Sequence, residues 1–451
     1  MNYDGQIRPA QIKSRDIFDQ LDAELHGSSE NSHAVSTILN TSVREVSAAR
    51  TLALIRPLFE SFGIRQLIEL TLDGVPACPV FQVIRDDTRS QYFNAGKGFT
   101  RIESMVSGLM EAVEVHCFER ADPALLLSAA ALSAADSNLE LVSRVNLFPG
   151  EASQETVKDG TGVLLRGMDH RNNVAVLLPA EYVFRELEVE GITDASPNGI
   201  ASGNSLAEAL CHALGEMLER HALAGFFSTG TSTNNRHYQQ IERVLPPPES
   251  KNIHRCLAEL RQKDIHGEFV LISAAAGVAV FICFLDVPRS PGVRVAVQGY
   301  GAHPDPKIAM ARALGEAVQI LALCPVADDD ATIDESDNRE RVVMTSKQTA
   351  SLDPALILSQ RLVDYELLGQ LRSRMELIDY DYMSIHDDNN GRYLTGVEAP
   401  HETSREALKN LLAGFEKMGY AQVFSCVISP PSLPVVVVKC FCPGLDCILG
   451  L

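Results

Sequence analysis

The sequence predicts an α/β protein of mixed sheets with packed helices, assembled from internally repeated helix and strand units. Three observations lead there. Segments of helical periodicity alternate with short β-branched runs bounded by Gly, Pro or Asp along much of the chain. A strong helix-opening signal at Ser205 heads an Ala/Leu-rich stretch that gathers acids on one face. The polar spacing of that helix then recurs on two others.

Composition sets the outer bounds. With 451 residues the chain can bury a large core, and its make-up is that of a globular protein. A net charge of −20, with no basic cluster to offset it, argues against binding DNA or RNA through the phosphate backbone. The first residues, MNYDGQIRPAQIKSRD, carry charge and have no apolar segment, so no signal peptide is expected. The longest apolar run, 269–285, contains Gly277 and many β-branched residues. It reads as two buried strands joined at Ala-Gly rather than a membrane helix. A cytoplasmic protein is expected, with no membrane contact.

Taken in order, residues 1–40 read as a flexible N-terminal segment. Residues 47–62 have helical periodicity through Leu52, Ile55, Leu58 and Phe59, with Pro57 placed to break it and Gly63 to end it. Strands are expected at 66–72 and 79–85 around the turn Asp73-Gly74. Next, Lys97 lies between Gly96 and Gly98 just before a helix, a setting that suits a phosphate. Thr100 and Glu103 form a capping-box pair, and the helix runs to about Phe118. On it, Ser107, Glu111 and Glu114 lie within about 60° of one another.

Strands at 162–165 and 173–179 precede the central helix. Ser205 and Glu208 again have capping-box spacing. At 100° per residue, Glu208, His212, Glu216 and Glu219 span an arc of about 80°, with Asn204 at its edge. Leu206, Ala207, Leu210, Ala213, Leu214 and Met217 make the opposite face apolar. Arg220 is spaced to pair with Glu216. Beyond Pro246-Pro247-Pro248 come a helix at 252–263, strands to 299, and a helix announced by Asp305-Pro306 that carries Arg312, Glu316 and Gln319. Residues 328–346 read as an acidic loop or linker. The C-terminal part, 347–451, is expected to hold a helix near 354–375, strands near 376–384 and 391–397, a helix at 403–418 and strands at 421–440. Ten cysteines are scattered through mostly apolar surroundings, and the cluster Cys440, Cys442, Cys447 reads as packing rather than metal or redox chemistry.

The repeated spacing carries the functional argument. His212-Ala-Leu-Gly-Glu216-x2-Glu219 and Arg312-Ala-Leu-Gly-Glu316-x2-Gln319 share one pattern, and Ser107-x3-Glu111-x2-Glu114 shares its spacing. A single helical Glu is usually a solvated surface residue. Three matching stripes, each backed by an apolar face, argue for convergence on one site. Converging carboxylates repel unless cations neutralise them, and oxygen donors without His- or Cys-rich spacing point to Mg2+, which commonly shares its shell with phosphates. Lys97, Arg220 and Arg312 fit a nucleotide beside that metal. Neither GxxxxGK[ST] nor a strand-following GxGxxG occurs. Gly215 and Gly315, placed mid-helix at a cost of about 1 kcal/mol each, suggest a close backbone approach.

Together, Gly96-Lys97-Gly98 with Ser107-x3-Glu111-x2-Glu114, Ala201-x-Gly-Asn204-x3-Glu208-x7-Glu216-x2-Glu219-Arg220, and Gly299-x-Gly-Ala-His303 with Arg312-x3-Glu316-x2-Gln319 resemble the YcaO family. The likeness runs from Arg44-x2-Ser47-x3-Thr51 to Pro443-Gly444-Leu445. It implies a YcaO-like fold and an enzyme that uses ATP and Mg2+ to phosphorylate the oxygen of a peptide backbone amide after a nucleophile has added. The product is then an azoline or, with a sulfide donor, a thioamide. By position the resemblance implies Glu111, Glu114, Glu208, Glu216, Glu219 and Glu316 as the metal and phosphate set. Ser107, Asn204, Arg220, Arg312, Gln319 and Lys97 would place the nucleotide. It also implies a ribosomally made precursor peptide or protein as substrate, a homodimer, and a TfuA-like or ubiquitin-activating-enzyme-like partner. Residues 41–327 would be the core with the ATP/Mg site. No general base is assigned, because His212 reads equally as a hydrogen-bonded structural residue.

The departures matter as well. Val115 follows Glu114 where the family usually has Arg, and Gln319-Ile-Leu replaces Gln-Ser-Arg. The chain ends FCPGLDCILGL rather than in the alternating prolines of azoline formers, which favours thioamidation. The other class of reading is a non-catalytic scaffold of the same fold that binds peptide or partner.

Overall fold

The computed structural model describes residues 37–39, 42–86, 88–89, 93–133, 135–148, 162–189, 195–228, 242–290, 293–323 and 403–445, with short strands at 362–363, 377–378, 385–387 and 392–394. Of the expected flexible segment 1–40, residues 37–39 form a short strand paired with 42–44, and within the helix expected near 354–375 the described residues 362–363 are a strand instead, paired with Ala296 and Val297. The rest of both segments, the linker 328–346, Cys324 and Cys447 lie outside the described residues.

The first unit is a helix, a hairpin and a long helix. Helix α1 (Ala48–Ile55) is N-capped by Ser47 and passes at Pro57 into a 3-10 turn over Arg56–Leu58. Strands β1 (Ile64–Glu69), β2 (Val80–Arg85) and β3 (Phe93–Lys97) form an antiparallel three-stranded sheet. Helix α2 (Arg101–Glu119) packs across it, and Thr100 and Glu103 complete the expected capping box.

Two larger sheets follow. One contains β4 (Val163–Asp169), β5 (Val174–Pro179) and β6 (Ile200–Gly203), the last leading into helix α3 (Leu206–Ser228). After helix α4 (Lys251–Gln262), strands β7 (His266–Ser273), β8 (Ala279–Ser290) and β9 (Val293–His303) build the other. The apolar run is thus two strands, turned at Ala275–Gly277, where Gly277 takes φ +71°. Helix α5 (Pro306–Leu323) leaves β9 through Asp305, whose carboxylate accepts the Lys307 N–H at 2.8 Å. Helix α6 (Ser404–Lys417) and strands β10 (Phe424–Val427) and β11 (Val436–Phe441) close the described chain. The first large sheet runs β6-β11-β10-β4-β5, with residues 140–141 at its edge. C-terminal strands therefore sit between the core strands β6 and β4. Residues 41–327 hold the three-stranded sheet whole, but not this larger one.

Apolar faces of α2, α3 and α5 fill three core clusters. Leu109 and Val113 join the first, Leu314 and Val318 the second, and Leu210, Ala213 and Leu214 the third. Two side chains assigned to the apolar face of α3 do not reach it: Leu206 is exposed and Ala207 half-buried, while Glu208 and Ala209 of the same turn are buried. Cys78, Cys117, Cys256, Cys283, Cys426, Cys440 and Cys442 are buried. Among the described residues no helix is long and apolar enough to cross a membrane.

Candidate nucleotide and metal site

Each of α2, α3 and α5 follows a strand that delivers its polar stripe to a common centre. Glycines on these strands let the helix backbone come very near. A Cβ at Gly96 of β3 would lie 2.0 Å from the Ser104 carbonyl oxygen, and one at Gly299 of β9 would lie 2.1 Å from the Ala317 nitrogen. The helices themselves behave otherwise than their sequence suggests. A Cβ at Gly215 would meet nothing within 4 Å, and one at Gly315 only the Lys97 stem at 3.6 Å. Close approach is therefore a property of the strand glycines, while Gly215 and Gly315 leave space beside the acids.

Around that centre the stripes interlock. Lys97 reaches from β3 to Glu316 of α5 at 2.7 Å, and Gln319 donates to the Ala95 carbonyl at 2.9 Å. These two contacts join the first and third units. Glu114 accepts from the Ser202 N–H at 2.8 Å and from its hydroxyl at 2.5 Å, which joins α2 to β6. Arg220 pairs with Glu216 at 2.8 Å, as the spacing predicts. Glu208 is buried at the head of α3. Ser205 accepts its N–H, but no reciprocal capping box forms, since the Glu208 carboxylate accepts from Asn204 Nδ2 at 3.2 Å and from the Glu45 N–H at 3.4 Å. Glu111 accepts from Asn94 Nδ2 at 3.3 Å. Ser107 lies half-buried on the same stripe of α2.

Electrostatics make this a strained collection of acids. Burial pushes the Glu114 carboxyl up to about 8, with the charges of Glu111 and Glu216 adding to it and the Ser202 hydrogen bonds opposing. Glu219 is pushed up to about 7 by burial and by Glu316, against the pull of Arg312 and Lys97. Glu208 is also raised by burial, with Arg44 opposing. Burial works against the charge on Arg220, but Glu216, then Glu219 and Glu316, hold it above the ordinary guanidinium value. His212 is pushed well below its usual value by burial and then by Arg312, Arg44 and His303, so the ring is neutral. These influences tie Glu111, Glu114, Glu208, Glu216, Glu219, Arg220, Arg312 and Glu316 into one field.

Four contributors fell outside the assigned set. Arg44 acts on Glu208, Glu114 and Arg312, and its Nε is buried without a partner. Thr51 donates to Asn204 Oδ1 at 2.8 Å, so α1 steadies the side chain that holds Glu208. Asn94 is fully buried with Oδ1 unpartnered, and Ser202 holds Glu114. Arg44 and Thr51 carry a sequence signal in their motif. Asn94 and Ser202 carry none beyond standing next to glycine-bearing strand ends.

The residues fit a divalent cation with phosphates. All donors at the centre are oxygens, and the glutamates outnumber the cations placed among them. Among the described residues no three His, Cys, Asp or Glu side chains close on one point tightly enough to hold a metal unaided. Lys97 and Arg220 occupy two of the carboxylates, which leaves a cation to complete its shell elsewhere.

Residues 95–446 match the family described as YcaO cyclodehydratase, ATP- and Mg2+-binding. The chain belongs to the YcaO family. A Rhizobium leguminosarum relative of this YcaO chain, described as an uncharacterized protein in the tfuA 3' region, is 24% identical over 419 residues, covering 89% of the chain and 88% of the relative. The YcaO of Methanopyrus kandleri bound with AMPPCP and Mg2+ superposes with TM-score 0.63 at 19% identity, covering 92% and 94%. A heterocyclase in complex with substrate and cofactor superposes with TM-score 0.62 at 17% identity, covering 92% of this chain but 55% of the heterocyclase. Both structural likenesses establish the mixed α/β fold. The substituted third motif also has a packing reason in this YcaO chain: Ile320 and Leu321, where the family usually has Ser-Arg, are core residues of α5.

Proposed function

We propose that this YcaO protein activates a backbone amide of a ribosomally made peptide or protein with ATP and Mg2+, and converts it to a thioamide. The observation that carries the reading is the convergence of buried, mutually repelling glutamates from α2, α3 and α5 with Lys97, Arg220 and Arg312 among them. Such a set suits phosphoryl transfer, which needs charge neutralisation and alignment more than a protein nucleophile. Bound ATP and Mg2+ supply the phosphoryl group and the neutralising charge.

Within that frame Glu111, Glu114, Glu208, Glu216, Glu219 and Glu316 hold metal and phosphates. Lys97, Arg220 and Arg312 balance the charge that shifts as the phosphoryl group moves. Asn204, steadied by Thr51, fixes Glu208, and Gln319 fixes α5 on β3. Ser107 lies on the α2 stripe beside the phosphates. Sulfide adds to the amide carbon, the resulting oxyanion takes the γ-phosphoryl group, and phosphate leaves as the S–H proton is lost and C=S forms. Each turnover consumes one sulfide and one ATP and yields ADP and phosphate.

The relative from a tfuA region supports a TfuA-like partner and thioamide over azoline, and we propose a homodimer acting with it. Calorimetry with AMPPCP and Mg2+, followed by phosphate release with precursor peptide, sulfide and partner, tests the reading. Mass spectrometry expects exchange of oxygen for sulfur. Loss of one water instead would mean azoline formation, with a ubiquitin-activating-enzyme-like partner. Neither nucleotide binding nor phosphate release under any pairing would leave the scaffold role.

A further inference from the structure

On the side of α3 turned toward α6 lies a pocket that the proposed reaction does not use. It is lined by His212 and Gly215 of α3, His303 at the end of β9, Arg312 of α5, and Ser404 and Ala407 of α6. The first turn of α6 is fixed against α3, since the Cys211 thiol donates to the Ser404 carbonyl at 3.3 Å. Ser404 is 2% exposed, and its Oγ has no hydrogen-bond partner. A buried hydroxyl left unsatisfied is destabilising, so a partner position is expected beside it.

Of the residues that line the pocket, the one permanently charged side chain is a cation, Arg312. Helix α6 is 14 residues long and sets Ser404 of its first turn, with Ala407 and Leu411, in the pocket wall; Thr403 accepts one first-turn N–H, that of Glu406, at 3.2 Å. The remaining first-turn N–H groups and the helix dipole favour an anion. Arg312 adds a full positive charge. The acids whose charge reaches Cys211 are Glu208 and Glu45, and burial pushes the Cys211 thiol up to about 12, so it adds no negative charge. Ala302, Ala407 and Leu411 make the rest of the wall apolar. Polar contacts are therefore confined to one end, which fits an ion of a few atoms.

We propose that this pocket binds a small anion, hydrosulfide or inorganic phosphate, between Ser404 Oγ, the N-terminus of α6 and the Arg312 guanidinium. The site goes beyond the nucleotide reading, because Ser404 and α6 take no part in it. Arg312 alone belongs to both, so an anion held here stands next to the reacting centre. Hydrosulfide would be an incoming nucleophile, and phosphate a departing product.

The test titrates the full chain, saturated with AMPPCP and Mg2+, with sodium hydrosulfide and separately with inorganic phosphate, by calorimetry. One-to-one binding of at least one anion is expected. Ser404→Ala should weaken it about tenfold, and Ser404→Asp should abolish it, with AMPPCP affinity unchanged in both. An acid in the first turn of a helix is favourable, so Ser404→Asp retains the fold. Binding of hydrosulfide alone assigns the pocket to the nucleophile, and binding of phosphate alone assigns it to the product. Absence of stoichiometric binding by either anion, or unchanged binding by Ser404→Asp, overturns the proposal. If the chain takes no AMPPCP, the nucleotide reading falls, while the same titrations on the free chain still decide the pocket.

Discussion

Two glutamates on helix α2, five residues apart, the half-buried Glu114 and the buried Glu119, have opposite surroundings. Glu119 is paired with Arg85 at 2.8 Å, both side chains fully buried, and it also accepts the Arg89 N–H at 3.2 Å. Arg85 further donates to the Phe62 carbonyl at 3.3 Å. Glu114 accepts, among the described residues, from the Ser202 groups; it faces Glu111 and Glu216, and the cation Arg44 acts on it by charge without a hydrogen bond. A carboxylate matched to a cation inside the protein is a structural part. One surrounded by like charge is completed only by something that arrives.

The sharpest way to test the structural half is to remove the cation. Arg85→Ala should destabilise the fold by about 3–5 kcal/mol, read by denaturant unfolding, because Glu119 is then left charged and buried. An unchanged midpoint would mean that the pair carries no stability. On the functional half, Glu219→Gln or Glu216→Gln should lower phosphate release by about 10²–10³-fold with the unfolding midpoint retained. Wild-type rates in both variants would place the site elsewhere.

Acidity separates the halves further. The carboxyls of Glu114 and Glu219 stand above the usual glutamate value of 4.5, at about 8 and about 7. The folded chain therefore binds protons that the unfolded chain has released. Their contribution to stability is complete below about pH 4.5 and is lost as pH rises through 7 and 8. Metal-free protein should lose stability from pH 5.5 to 8.5, and Glu114→Gln should flatten that decline. Mg2+ with AMPPCP should flatten it as well. An equal slope in Glu114→Gln would assign the effect to other groups.

The smallest expected effect concerns glycine. Gly215→Ala should stabilise by about 1 kcal/mol, since Ala is the better helix former and the new methyl meets nothing. Gly299→Ala should destabilise instead, because its Cβ would overlap the backbone of α5. Thermal melts of the two variants moving in the same direction would contradict the contrast drawn between strand and helix glycines.

Local signals in the sequence were read correctly where their cause is local. The Thr100–Glu103 capping box, the break at Pro57, the turn at Gly277 and the Asp305-Pro306 start each depend on a few neighbouring residues, and each stands as expected. Helical spacing likewise put Glu216 within reach of Arg220. Errors arose where the outcome depends on distant chain. Leu206 has the helix phase of a core residue, yet it is exposed, while Glu208 of the same turn is buried. Glu208 had capping-box spacing, but its carboxylate is drawn off by Asn204 and Glu45.

By itself the sequence determined which side chains share a helix face, and hence that three helices each carry a polar stripe. It also carried the motif pattern of the YcaO family. Only the tertiary structure decided which glutamate is matched and which is not. Lys97 meets Glu316 across 219 positions of sequence, and Ser202 meets Glu114 across 88. Periodicity fixes direction around one helix axis; the charge that a carboxylate feels is set by burial and by neighbours from other elements. That is why Glu114 and Glu119, on one helix, are a proposed site residue and a strut.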